Sequence, residues 1–279
     1  MERLQAAIEK ARAQRKTRDV PGQRAAAATP AEPVLETTPS EVDQAWEALA
    51  PVKLQDRLMH RNRLVAFHEG KEAGPYDMLR TRMLQQARTN GWKRIAIVSP
   101  HSNCGKSTTA ANLAFSMSRQ PGLRALVLDL DLRRFGLSRM LGQRPDHGMI
   151  DVFSGEVSFA SHGRRYEENV AFGFNGSATN RASEILQSSR THDTLDAIEA
   201  VYQPAITLVD MPPLMASDDN FGFLQHVDAA LIMVAAEKTS MTQLDVAERQ
   251  VAELTNVMGM VLNKCRYTDG AYGYEYGYY

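Results

Sequence analysis

Cysteine is scarce in this chain of 279 residues: Cys104 and Cys265 are the only two. They have no metal-like spacing, and two thiols suit a reducing compartment. Long apolar runs are missing as well. None approaches the ~18 residues of a membrane span, and the longest, residues 229–236, is strand-length. The first residues are polar and charged, with no apolar segment of the kind a secretory leader carries, so the expectation is a cytoplasmic protein. Neither sign of charge is in excess. The net formal charge of -1 removes a bulk electrostatic case for nucleic acid. No internal repeat is present, and the length predicts one or two domains.

The chain is organised around residues 95–109. The apolar run Ile95-Ala96-Ile97-Val98 ends in a polar turn, Ser99 to Cys104, which closes on Gly105-Lys106-Ser107. A helical pattern follows at Ala110, Leu113, Ala114 and Met117. Strand, loop and helix are the context of a phosphate-binding loop. Gly105 lets the backbone approach an anion, and successive N–H groups from Asn103 and Cys104 through Thr108 at a helix start make a positive cradle. Lys106 adds a point charge, and the Ser107 hydroxyl can ligate Mg²⁺. Pro100 stands where the general pattern has its first glycine. Asn103 is the next candidate for a left-handed backbone.

Ahead of the loop, residues 1–18 read as a basic amphipathic helix and residues 20–39 as an Ala/Pro/Thr linker that buries no core. Thr38 is the expected cap of a following helix, with Pro39 in its first turn and Glu41 completing a capping box. Val42, Trp46 and Leu49 give this helix an apolar side. Residues 76–89 form a second helix, with Met78, Leu79, Met83 and Leu84 inward. Strands are expected at 94–98, 125–130, 170–174, 206–209, 230–235 and 257–262, and helices at 188–202 and 241–254. The strands are continuous apolar runs, as when both faces are covered. The alternation predicts an α/β fold: a mostly parallel, doubly wound sheet, helices on both faces, ligand at the strands' carboxyl ends. The expected organisation is a basic helix and linker (1–37), a helical lead-in (38–90), a P-loop NTPase domain (91–264) and a flexible tail (265–279) holding six of the nine tyrosines.

Two more strand ends carry acid. One reads Leu128-Asp129-Leu130-Asp131-Leu132-Arg133-Arg134, the other Val209-Asp210-Met211-Pro212-Pro213. Asp129 and Asp131 can enter one crevice, one toward Mg²⁺ and the other as a proton acceptor. Arg133 can neutralise phosphate or pair with a carboxylate. A strand ending in Asp after a phosphate loop is the second metal-side carboxylate of many P-loop proteins.

Together these features resemble the bacterial tyrosine kinases of capsule and exopolysaccharide synthesis. The shared marks are the Gly-Lys-Ser loop, the Asp-x-Asp-x-Arg and Asp-x-Pro-Pro strand ends and the terminal tyrosines, in that order, over about residues 93–279. Segments 151–155 and 182–186 are similar too. The resemblance implies an ATP-dependent autokinase with Mg²⁺. It implies Lys106 on the β/γ-phosphates and Ser107, Asp129 and Asp210 at the metal. Asp131 would act on the acceptor, Arg133 on phosphate or loop, and Asn263 on the base or in an ordinary turn. Tyr272, Tyr274, Tyr276, Tyr278 and Tyr279 would be the acceptors. The implied partners are a membrane-embedded polysaccharide co-polymerase adaptor, a tyrosine phosphatase and further copies of the chain, at the inner face of the membrane. Departures are the altered loop, Phe135 in place of a frequent proline, and Gly74, Asp77 and Arg80 where a Glu-x-x-Arg-x-x-Arg helix is usual. Two alternatives stand beside this reading: a partitioning-type ATPase switch, and a weakly catalytic scaffold for a membrane adaptor.

Overall fold

A computed structural model of the chain describes residues 40–216 and 218–266. The expected basic helix and linker, and the tyrosines from residue 267 on, lie outside the described residues. The first described helix, α1 (Glu41–Ala48), begins two residues later than expected. Ser40 is the cap: its Oγ accepts from Asp43 N at 3.2 Å, while Asp43 Oδ2 accepts from Ser40 N at 2.9 Å. This reciprocal pair satisfies two N-terminal donors, and it replaces the predicted Thr38–Glu41 pair. Trp46 of this helix is buried and donates Nε1–H to Tyr202 O at 2.7 Å.

The elements that follow are β1 (Ala50–Pro51), α2 (Asp56–Arg61), α3 (Gly74–Asn90), β2 (Arg94–Val98), α4 (Lys106–Ser118), β3 (Ala125–Asp129), α5 (Gly136–Met140), α6 (Met149–Ser154) and α7 (Phe159–His162). Then come β4 (Arg164–Tyr166), β5 (Val170–Gly173), α8 (Ala182–Leu186), α9 (Ser189–Tyr202), β6 (Ile206–Asp210), α10 (Asp219–Phe223), β7 (Ala229–Ala235), α11 (Met241–Ala252) and β8 (Asn256–Asn263). Among the described residues, eight strands form one sheet in the order β1-β4-β5-β3-β6-β2-β7-β8. All pairs are parallel except β4 with β5. The short strands β1, at the edge, and β4, next to it, escaped sequence reasoning. At two and three residues they are too short to show a period.

Residues alternate across the sheet. Ile95, Ile97, Val127 and Leu208 face α3 and α4, whereas Ala96, Val98, Leu128 and Val209 face the layer holding Trp46, α9 and α11. Both faces are thus covered, as the apolar runs predicted. In α3 the buried stripe is Met83, Leu84 and Ala87. Met78, expected inward, lies outward at 49% exposure. Arg80 of α3 donates to Asp77 and to Ser116 O and Oγ, and Asp77 also receives Arg119. The one matching arginine of the assembly pattern is therefore engaged within its own chain.

Candidate active site

The site lies at the carboxyl ends of the central strands. After β2 the chain turns through Asn103 at φ 63° and Gly105 at φ 98°. Both are left-handed, and Asn tolerates that region better than most side chains. Asn103 thus takes the role expected of it, and α4 starts directly on Lys106. Gly105 is required for a second reason: a Cβ there would meet Asn263 Nδ2 at 2.1 Å. That amide, at the end of β8, donates to Cys104 O at 2.9 Å and holds the loop from behind. The Cys104 side chain is fully buried against His101 and Thr239. It is a small packing residue rather than an accessible thiol.

Lys106 is buried and donates from Nζ to Ser99 Oγ at 3.1 Å. The carboxylates arrive from β3 and β6. Asp129 and Asp210 are register partners on these adjacent parallel strands, and neither has exposed surface. Burial, then Asp210 and Asp131, push the Asp129 carboxyl well above the ordinary carboxylate range. One of its oxygens accepts from Asp131 N at 3.2 Å, the other from Ser138 N at 3.4 Å. Burial pushes Asp210 up to about 6, against the opposing pull of Lys106 and the Ser107 hydroxyl. Ser107 lies beside Asp210, yet neither carboxylate oxygen of Asp210 has a partner at hydrogen-bonding geometry. Asp131 is also raised by burial, against Lys106 and Arg134, and its Oδ1 is likewise unpartnered.

Lys106, Ser107 and Asp131 border a cleft of about 770 Å³ that is also lined by Asn103, Gly105, Thr108, Arg134, Pro213 and Asn263, among others; Asp129 and Asp210 lie buried beneath it, outside its lining. The volume suits a nucleotide-sized ligand. A Cβ on Gly136 would meet Ser107 Oγ at 2.6 Å, so glycine keeps that hydroxyl clear. Phe135, before it, has φ 38°, a conformation closed to proline. Phe135 therefore makes a turn that proline could not.

Do these residues fit a nucleotide with Mg²⁺? Burying carboxylate oxygens without partners is costly, and Asp210 and Asp131 leave three such oxygens beside a lysine and a serine hydroxyl. Hard oxygen donors are what Mg²⁺ takes. Among the described residues no three His, Cys, Asp or Glu side chains form a metal cage. Mg²⁺ needs none, because it keeps waters and binds one or two carboxylates plus phosphate oxygens. The residues fit.

Arg133 does not join them. Its guanidinium makes two bonds to Asp219, Nε–Oδ2 at 2.7 Å and Nη2–Oδ1 at 2.9 Å. Of its two sequence readings the structure takes the carboxylate pair. Arg134 faces the cleft instead and donates to Ser102 Oγ at 2.6 Å. Sequence reasoning missed Arg61, Arg63, Tyr76, Arg139 and Lys264, which also line the cleft. Arg134 was findable, being adjacent to the acidic motif. Arg61 and Arg63 carry no local signal, because only the tertiary fold brings them to the loop.

Residues 92–275 match the profile of the ParA family, described as NUBPL iron-transfer P-loop NTPase. The putative tyrosine-protein kinase EpsB of Ralstonia nicotianae is 26% identical over 206 residues, which is 72% of this chain and 27% of EpsB. The chain thus spans about a quarter of that relative's length. The tyrosine-protein kinase CpsD of Streptococcus pneumoniae serotype 4 is 28% identical over 188 residues, 65% of this chain and 80% of CpsD. Among solved structures, the BceF tyrosine kinase domain shares the fold with a TM-score of 0.64 at 18% identity, covering 81% of this chain and 97% of that one. The chain belongs to the ParA family of P-loop NTPases.

Proposed function

We propose that the chain is an ATP-dependent protein-tyrosine autokinase acting in exopolysaccharide or capsule polymerisation and export. The observation that carries this is the buried Asp131 carboxylate, whose Oδ1 has no partner and which lines the cleft with Lys106 and Arg134. A phosphate cradle alone has no use for a buried base at that point. In this reading the loop amides and Lys106 hold the β- and γ-phosphates. Mg²⁺, held by Ser107 and Asp210 with Asp129 behind them, would neutralise charge on the phosphate oxygens. The acceptor tyrosine is neutral at pH 7, its hydroxyl having a pKa of about 10. Its oxygen bonds to the γ-phosphorus as the bond to the bridging oxygen of ADP breaks, and the phenolic proton passes to Asp131. Burial makes Asp131 a stronger base than a solvated carboxylate.

The acceptors are Tyr272, Tyr274, Tyr276, Tyr278 and Tyr279. A membrane-embedded co-polymerase adaptor, a tyrosine phosphatase and further copies of the chain complete the proposal, with the protein at the inner face of the membrane. Among the described residues no helix is long and apolar enough to cross a membrane. Iron transfer does not fit: Cys104 is buried and Cys265 has no second accessible thiol beside it.

The test is incubation with ATP and Mg²⁺, with and without the adaptor's cytoplasmic segment, and mapping of phosphotyrosine by mass spectrometry. Phosphate on residues 272–279 that is lost in Lys106→Met supports the kinase. Asp131→Asn should cut transfer by about 10²–10⁴-fold while ATP affinity is largely kept. ATP turnover without phosphotyrosine would support the partitioning-type switch, and equal loss of transfer and ATP binding in Asp131→Asn would refute the base assignment.

A further inference from the structure

Arg134 lines the cleft and has no task in the reaction above. Its place is set by the turn that leaves β3. Arg134 N and Phe135 N both donate to Asp131 O, at 3.1 and 2.9 Å, and Phe135 then takes a left-handed backbone at φ 38°. The neighbouring side chains part there, Arg133 toward Asp219 and Arg134 toward the phosphate loop. Arg134 Nη1 donates to Ser102 Oγ at 2.6 Å, and Ser102 stands directly before the left-handed Asn103. From the other side Arg139 Nη2 donates to Arg134 O at 3.1 Å. Among the described residues the guanidinium makes no other hydrogen bond, so most of its five donors are free to take a ligand. It also lies near the Asp131 carboxyl. Burial raises that carboxyl, and Lys106, then Arg134, pull it back. One cation thus stands beside both the loop that cradles phosphate and the proposed base.

We propose that Arg134 is a catalytic residue of this site, a built-in cation that binds the γ-phosphoryl group more tightly in the transition state than in bound ATP. The inference rests on the phosphoryl-transfer reading above. In that reaction the tyrosine oxygen bonds to phosphorus, the bond to the bridging oxygen of ADP breaks, and the phenolic proton goes to Asp131. The group in passage spreads its charge over three equatorial oxygens. Asp131 marks the end of the cleft where the acceptor enters, so a cation beside it acts on the group being transferred. Lys106 is a point charge that already donates to Ser99 Oγ at 3.1 Å. A guanidinium presents a flat fork that grips two oxygens at once. Arginine keeps its proton in proteins, so Asp131 remains the proton acceptor. The bond to Ser102 holds the fork in place before the reaction, which leaves little reorganisation for the transition state. A neutral hydroxyl is also a weaker partner than charged phosphoryl oxygens, so the exchange favours the ligand.

The test measures binding of ADP and Mg²⁺ to the full chain with and without aluminium fluoride, which mimics the phosphoryl group in passage. Wild type should bind ADP about tenfold or more tightly when the fluoride is present. Arg134→Gln should lose that gain, while its affinity for ADP alone and for ATP stays within about threefold of wild type. Its phosphotyrosine formation at saturating Mg·ATP should fall by about 10²–10³-fold, and Arg134→Lys should lie between the two. Ser102→Ala removes the bond but leaves the cation, so it should keep most of the gain. A thermal melt confirms that each variant is folded. Four results would overturn the proposal. They are no gain in wild type, an undiminished gain in Arg134→Gln, an equal loss of ADP and ATP affinity in that variant, and an equal loss of the gain in Ser102→Ala. The third would make Arg134 an anchor for bound phosphate, the fourth a strut for the loop. The fluoride measurement involves no tyrosine. A gain that Arg134→Gln abolishes, in a protein that forms no phosphotyrosine, would support the role of Arg134 and refute only the tyrosine acceptor.

Discussion

Gly105 offers the most exacting test of the loop. It sits at φ 98°, and a Cβ there would press on Asn263 Nδ2 at 2.1 Å. Gly105→Ala meets two separate penalties. A left-handed backbone costs a non-glycine residue about 1–2 kcal/mol. The clash falls on the end of a flexible side chain, so Asn263 moves, and its hydrogen bond to Cys104 O is lost at about 0.5–1.5 kcal/mol. Together these come to about 1.5–3.5 kcal/mol, or roughly 10- to 300-fold in nucleotide affinity at ~1.4 kcal/mol per tenfold. Titration with a fluorescent ATP analogue and Mg²⁺ measures it, and a thermal melt confirms the fold. The two penalties separate in a double-mutant cycle. In an Asn263→Ala background only the backbone penalty remains, so the alanine at position 105 should cost roughly fivefold less there. Binding within threefold of wild type, or an equal cost in both backgrounds, would refute the reasoning.

Two further predictions concern stability. Burial, then His226 and Arg94, lower the His192 pKa to about 4. Its two ring nitrogens have no partner, and its ring stacks on His226 with centroids 3.1 Å apart. The unfolded state then binds the extra proton between pH 6.5 and about 4, so stability is highest above 6.5 and declines through that window as pH falls. The loss is on the order of 1 kcal/mol after discounting for solvent screening. Urea unfolding at pH 7 and pH 5 should show a smaller difference in His192→Phe than in wild type; an unchanged difference would clear this histidine. Arg133→Ala should cost roughly 1–3 kcal/mol, because it removes a guanidinium from the buried Asp219. Nucleotide affinity should stay within about twofold; a larger drop would return Arg133 to the phosphate site.

The primary structure by itself determined the central strands, because apolar runs covered on both faces have few other ways to be buried. It also determined the loop. Asn103 and Gly105 are the residue types that accept left-handed backbone, and Gly-Lys-Ser after a strand has a mechanism attached. The two acidic strand ends were legible for the same reason, since each acid directly follows an apolar run. Tertiary packing decided the rest. Ser40 and Asp43 took the helix cap from Thr38 because their side chains satisfy each other's donors at short range. Arg133 and Arg134 are neighbours in sequence, yet one turns to Asp219 and the other to the cleft, a choice made by the buried carboxylate and not by local pattern. The register of β3 against β6 places Asp129 beside Asp210, and spacing along the chain carries no trace of it. Arg63 is held at the cleft by Asn112, on the far side of the phosphate loop in sequence, which bonds Arg63 O and Ala66 N. Local propensity writes elements into a sequence; which charges end up facing one another is settled by hydrogen bonds between residues far apart in the chain.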